Sequence, residues 1–273
     1  MTSLRDQIAV KPVGTDSYRS VVPPIRMGDL ADWAYGGNIL AIAVGAAYAT
    51  VTAGQHLYSI SGYFVRPASP SQKLLCRVER IRDTRSFQTR HLRVVQAGAE
   101  GESEQLCLIA TADFHADEPV DMVNYSACPQ IHVPSSPAAE TERENAGTGA
   151  IQDSRHDDGA ERFRLREAGG LSSEADRVAA LAFYMDRGLA YIPANHSGYS
   201  LSQASACATL DFALRILRHD VDLRDWHVSE RQTCGAENAR ALSEGRVFNR
   251  DSRLLASMTQ KTILRPKQGM SNI

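Results

Sequence analysis

Two polar side chains stand on apolar faces in the second part of this 273-residue chain, and a third, Thr209, lies on a predicted strand. Asp186 follows Met185 at the edge of a helical stripe formed by Val178, Leu181, Ala182, Met185 and Leu189. A carboxylate in such a place is costly unless it is paired or functional. When ionised it can take a proton from a reacting group. Spacing alone favours a solvated flank residue. Gln260 ends a strand face of Leu254, Ala256, Met258 and Gln260, which repeat at period two. A satisfied core amide and a site residue suit that position equally. Thr209 shares its predicted face with Asp211, Ala213 and Arg215. An ordinary strand threonine explains it as well, because β-branched residues favour strands. A second group is cationic: Arg77, Arg80, Arg82, Arg85 and Arg90 lie within one short stretch. Guanidinium groups can hold phosphate oxygens. Most of these five read instead as solvent-facing strand residues or as partners of Glu79 and Asp83.

Other chemistries find no pattern here. The eight histidines form no H-E-x-x-H, and there is no G-x-S-x-G elbow, G-x-G-x-x-G or P-loop. His196 and Ser197 follow Pro193 and read as an exposed loop. The five cysteines are scattered, without a C-x-x-C pair, which argues against a zinc site and a disulfide framework. No metal or redox cofactor is expected, and a reducing compartment fits. A net charge of -2 argues against nucleic acid as a main partner. The first residues are too polar for a signal peptide. No run approaches the roughly 18 apolar residues that span a membrane. The final Ser-Asn-Ile does not match a Ser-Lys-Leu peroxisomal address.

The elements that must position these residues come in two similar sets. Gly36-Gly37 opens a long run of Ala, Leu and Ile that is apolar nearly all round, as a buried helix must be. Predicted strands follow at 57–65, 74–82, 87–96 and 105–114. Residues 115–160 are rich in Asp, Glu, Ser, Pro and Asn, with Pro-Ser-Ser-Pro at 134–137, and read as a partly disordered linker. A second helix is predicted at 173–191, capped by Ser173 with Asp176 and stopped by Pro193. Strands follow at 204–217, 226–233, 239–249 and 254–264. Each half is thus a helix followed by an antiparallel sheet of about five strands. Shared wording supports duplication: Leu75 to Arg80 lies over Trp226 to Arg231, and Leu108 to Thr111 over Leu254 to Ser257.

The most specific wording is Tyr63-Phe64-Val65-Arg66-Pro67, then Val78-Glu79-Arg80-Ile81-Arg82-Asp83 with Arg85-Ser86-Phe87. With Gly36-Gly37 these blocks resemble the acyl-CoA thioesterase II family, whose members are two fused hotdog domains. Looser matches follow at Tyr184-Met185-Asp186, Ala208 to Asp211, and Ala256-Ser257 to Gln260. The resemblance implies an α+β double hotdog, with two antiparallel sheets each wrapped around a central helix. The expected halves are 1–118 and 161–273, joined by a linker at 119–160. The implied activity is hydrolysis of an acyl-CoA, or of an acyl thioester on a carrier protein, in the cytoplasm or a peroxisome. Carried over by position, the family's water-activating Asp, Thr and Gln fall on Asp186, Thr209 and Gln260. Gly36, Gly37, Asn38 and Arg85 are expected to bind substrate. The family usually has Gly-Gly-Gln where Asn38 stands, a Gly-Gln pair at Ala41-Ile42 and a His at Ser61. These departures bear on substrate identity.

Two other readings keep the same fold. One is release of a polyketide-type acyl group, and the other is an acyl-binding protein with a degenerate site. A hotdog dehydratase would need a histidine at a central helix, and neither predicted helix offers one. Exposed sheet edges leave room for a homo-oligomer.

Overall fold

A computed structural model describes residues 2–26, 32–98, 103–128, 151–155, 160–165 and 170–267. Its elements run in chain order as α1 (Leu4–Ile8), β1 (Val10–Gly14), β2 (Ser17–Ser20), α2 (Gly36–Tyr48) and β3 (Gln55–Phe64). They continue with β4 (Leu75–Asp83), β5 (Phe87–Gln96), β6 (Gln105–Ala116), β7 (Ile151–Arg155) and β8 (Ala160–Leu165). The last set is α3 (Glu174–Met185), α4 (Ile192–His196), β9 (Ala204–Ile216), β10 (His227–Glu237), β11 (Arg240–Phe248) and β12 (Leu254–Pro266).

The strand order is β1-β2-β4-β5-β6-β3-β9-β12-β11-β10-β8-β7. Read from the middle outward, each side repeats one scheme: β3, β6, β5, β4, β2, β1 against β9, β12, β11, β10, β8, β7. A helix leads into the central strand on both sides, α2 into β3 and, followed by α4, α3 into β9. The matched words at β4 and β10, and at β6 and β12, fall on corresponding strands. Where two sheets were expected, there is one. β3 and β9 pair antiparallel from Ser59 against Arg215 to Tyr63 against Asp211, which joins the halves edge to edge. Backbone groups left over at a central strand edge need partners, and each half supplies them to the other. Each side also has six strands rather than about five.

α2 is buried because it has no polar face: Leu40, Ala41, Ile42, Ala43, Val44, Ala46 and Ala47 are all 0% exposed. It packs on β3 to β6 and, more extensively, on α3. α3 starts at a full capping box of Ser173 and Asp176 and buries every residue from Val178 to Met185. It ends at Met185, earlier than the expected 191. Pro193 does not stop it; the proline sits in the first turn of the separate helix α4, where its missing N–H costs nothing. The predicted linker holds strand β7, whereas residues 129–150 and 156–159 lie outside the described residues.

The seam between halves is tied at one end by side chains. His56 of β3 places Nδ1 2.8 Å from Glu174 Oε2 at the start of α3. Tyr48 donates to Glu174 Oε1 at 2.8 Å and accepts from the Leu57 N–H at 3.1 Å. His56 also stacks on His219 at 3.7 Å.

Gly62 of β3 lies on the seam, paired with Ala110 on one side and Phe212 on the other. A Cβ there would fall 2.1 Å from the Ile109 carbonyl oxygen, a backbone atom that cannot step aside. Gly62→Ala is therefore expected to cost at least ~2 kcal/mol, read as a loss of several degrees in Tm. Gly235→Ala, whose Cβ would meet nothing within 4 Å, should stay within about 0.5 kcal/mol of the parent. Equal Tm values for the two variants would contradict the β3 register.

Candidate active site

The site begins where two helix ends meet. α2 starts at Gly36 behind Tyr35, whose side chain caps nothing. The first N–H groups of a helix have no partner inside it and carry its positive end. α3 ends with Asp186 as its C-cap. A carboxylate is unwelcome at the negative end of its own helix. This one is turned toward α2, where the Gly37 N–H lies against it and favours its ionised form. From β12, Gln260 Nε2 donates to Asp186 Oδ1 at 2.5 Å. Gln260 is fully buried, and Asp186 is only 6% exposed.

Close approach of the helix ends depends on the two glycines. A Cβ on Gly37 would sit 2.5 Å from the Phe183 carbonyl oxygen and 2.6 Å from the Tyr35 ring. A Cβ on Gly36 would sit 3.0 Å from Asp186 Oδ2. Tyr35 closes the junction by donating to Phe183 O at 2.6 Å, with its ring edge-on to the Phe183 ring. The glycines thus admit the second half of the chain itself, and Gly36 also borders the cavity described next.

Burial pushes the Asp186 carboxyl up to about 6. Desolvation is the larger effect, and the contacts from Gln260 and Gly37 offset only part of it. The carboxyl faces a cavity of about 300 Å³ that Gly36, Ile39, Phe64, Tyr191, Thr209 and Leu210 line. Arg66 stands on its rim. Burial holds the Tyr191 phenol and the Cys207 thiol on this lining up at about 12, so both stay protonated at neutral pH. Thr209 reaches the cavity through an irregularity. The β9–β12 pairing slips between Asp211 and Thr209, and this resets the alternation that had set Thr209 apart from Leu210. Gln260 lies behind Asp186. Its Oε1 is buried and has no hydrogen-bond partner among the described residues.

The structure therefore brings Asp186, Thr209, Gln260, Gly36 and Gly37 together, and two other expected residues stand apart. Asn38 spends its amide on structure, accepting from the Ile25 N–H at 2.9 Å and donating to Gln7 O at 2.6 Å. Arg85 is exposed at the β4–β5 corner and does not line the cavity. Four of the other arginines meet carboxylates: Arg77 with Glu104, Arg80 with Asp16, Arg82 with Asp113 and Arg90 with Asp83. Arg66, within the Tyr63-Phe64-Val65-Arg66-Pro67 run, lines the cavity. Nothing in its spacing marks it as a cavity residue.

Among the described residues, His56, Glu174 and His219 offer three metal-ligating atoms within 4.8 Å of one another. The two rings are stacked with planes 12° apart. Their lone pairs then run side by side instead of converging on one point.

A raised carboxyl pKa has a thermodynamic signature. Asp186 titrates near 3.8 when unfolded and near 6 when folded. Between those values the folded state holds the proton more tightly, so this group removes stability as pH rises from about 4 to about 6. The effect is about 3 kcal/mol across the window. Urea unfolding of the parent and of Asp186→Asn should therefore show a gap that moves in favour of the variant by that amount as pH rises. A constant gap would contradict the buried, raised carboxyl.

Comparison with known proteins bears on the fold and the family. The family model for the acyl-CoA thioesterase N-terminal domain matches residues 23–115, and that for the C-terminal domain matches residues 111–264. Acyl-coenzyme A thioesterase 8 of Mus musculus is 32% identical over 100 residues, 37% of this chain and 29% of that protein. The chain thus aligns with under a third of that relative's length. An acyl-CoA thioesterase II from Mycobacterium marinum superposes with a TM-score of 0.78 at 19% identity, covering 98% of this chain and 99% of that one. A protein with a hot dog fold from Alicyclobacillus acidocaldarius gives 0.75 at 17% identity, covering 98% and 99%. The fold is a hotdog fold, and the chain belongs to the acyl-CoA thioesterase family.

Proposed function

We propose that this chain hydrolyses acyl-CoA thioesters to a free acid and coenzyme A. One observation carries the reading: a buried carboxyl raised to about 6, braced by an amide, faces an apolar cavity at the start of a helix. Asp186 in its ionised form takes a proton from water. Thr209 and the unpartnered Gln260 Oε1 hold that water in line with the thioester carbonyl. The water oxygen bonds to the carbonyl carbon, and the positive end of α2 stabilises the developing oxyanion. The C–S bond then breaks. The proton held on Asp186 passes to the leaving thiolate, and the acid product ionises into solvent.

The division of labour follows the duplication. We assign the first hotdog, with β1 to β6, to 1–118, the connection to 119–160, and the second hotdog, with β8 to β12, to 161–273, each curled about its own helix. The repeated strand order supports this, with β7 lying late in the connection and pairing with β8. The first half supplies the start of α2, and the second supplies the base and its two partners.

Short, medium and long acyl-CoA thioesters with a thiol-detecting readout test the activity. Absence of thiol release from every one would sink the assignment. With an active substrate, Asp186→Asn should lower kcat by about 10²–10⁴-fold. The base must be deprotonated, so kcat/KM should climb as pH rises through about 6 and level off above it. Gln260→Leu removes a donor that favours the ionised form, so that climb should move to higher pH. Unchanged rates in Asp186→Asn would show that another group does the work.

A further inference from the structure

The reaction cavity continues past Arg66. A second cavity of about 590 Å³ shares Trp33, Arg66, Pro67 and Ala68 with it. Ser69, Gln72, Ser103 and Gln105 give this one a polar lining. Its wall is braced in advance. Gln96 accepts from the Ser69 N–H at 2.7 Å and donates to the Ser69 and Gln72 carbonyls at 2.9 Å. Gln105 donates to Pro67 O at 2.6 Å. A braced wall orders no side chains when a ligand arrives, which favours binding.

Arg66 stands at the neck between the two cavities. Unlike Arg77, Arg80, Arg82 and Arg90, it pairs with no carboxylate among the described residues. Asp32 also borders the polar cavity, but its side chain is 81% exposed and shares Arg26 at 3.8 Å. An unpaired guanidinium offers five donors in a fixed fork to acceptor oxygens. The proposed substrate has two unlike ends. Its acyl group is apolar, and its thiol arm carries amide carbonyls, a hydroxyl and phosphates. An apolar cavity beside Asp186 and a polar one beyond Arg66 match that division.

We propose that the polar cavity is the track for the substrate's thiol arm and that Arg66 donates to the arm's acceptor oxygens at its mouth. This rests on the acyl-CoA reading above and assigns the arm's path. Trp33 borders both cavities and reports on the track without any need for hydrolysis. In a Trp226→Phe background, titration with coenzyme A should change Trp33 emission. Arg66→Gln should weaken that binding by about tenfold to a hundredfold, and Arg66→Lys should recover part of it. Equal weakening for coenzyme A and pantetheine places the contact on the amide segment. Weakening confined to coenzyme A places it on the phosphates. For hydrolysis, Arg66→Gln should raise KM for acyl-CoA by a far larger factor than it lowers kcat. Coenzyme A that leaves Trp33 emission unaltered, or that binds Arg66→Gln as tightly as the parent, would overturn the proposal. Binding without hydrolysis would defeat the hydrolase reading and leave the track standing. Hydrolysis with a KM insensitive to Arg66 would defeat the track alone.

Discussion

Asp186 belongs to the second half of the chain, yet the first half makes its position tenable. Its carboxylate caps no helix of its own; it lies against the Gly37 N–H at the start of α2, and Gln260 braces it from β12. Moving a carboxylate out of water is expensive. These two contacts recover part of the cost, and the remainder appears as a carboxyl raised to about 6. A stronger cage would have produced a carboxylate too weak as a base near neutral pH. A weaker one would have left the group protonated. The glycines, Tyr35 and the end of α3 all serve this approach, because any side chain at Gly37 would meet the Phe183 carbonyl.

That junction requires two halves held in one register. The β3–β9 seam provides it through backbone pairing, and Glu174 adds a side-chain tie to His56 and Tyr48 at the far end of α3. Duplication therefore gives more than a larger core. The halves have the same strand order but contribute different parts to the junction, a helix start from one and polar side chains from the other. The cavities reflect a similar division, apolar beside Asp186 and polar past Arg66.

Much of this was legible in the sequence, for physical reasons. Eight strands were readable because one buried face produces alternation; β5 matches its predicted span of 87–96. α2 was readable because a helix apolar on every side has nowhere else to go. β1 and β2 left no pattern because they are short, and β1 is largely exposed and contains a proline. β7 was hidden within polar composition. Period two cannot say which edge strands meet, so the single sheet was not foreseen. Gln260 was correctly placed on a buried face, but its partner lies 74 residues earlier, and no local pattern links them. Thr209 was misplaced on its strand because a bulge carries no clear composition signal. Asn38 looked like a ligand group, whereas its partners come from the N-terminal segment, which spacing left unassigned.

The central claim is that burial between the helix ends makes Asp186 a base suited to neutral pH. Carbon-13 NMR of aspartate-labelled protein measures this directly, with the Asp186 carboxyl assigned by its loss in Asp186→Asn. The account expects its resonance to titrate with a midpoint near 6, and at higher pH once Gln260 is replaced by Leu. A midpoint at or below the ordinary aspartate value of about 3.9, unmoved by Gln260→Leu, would contradict it.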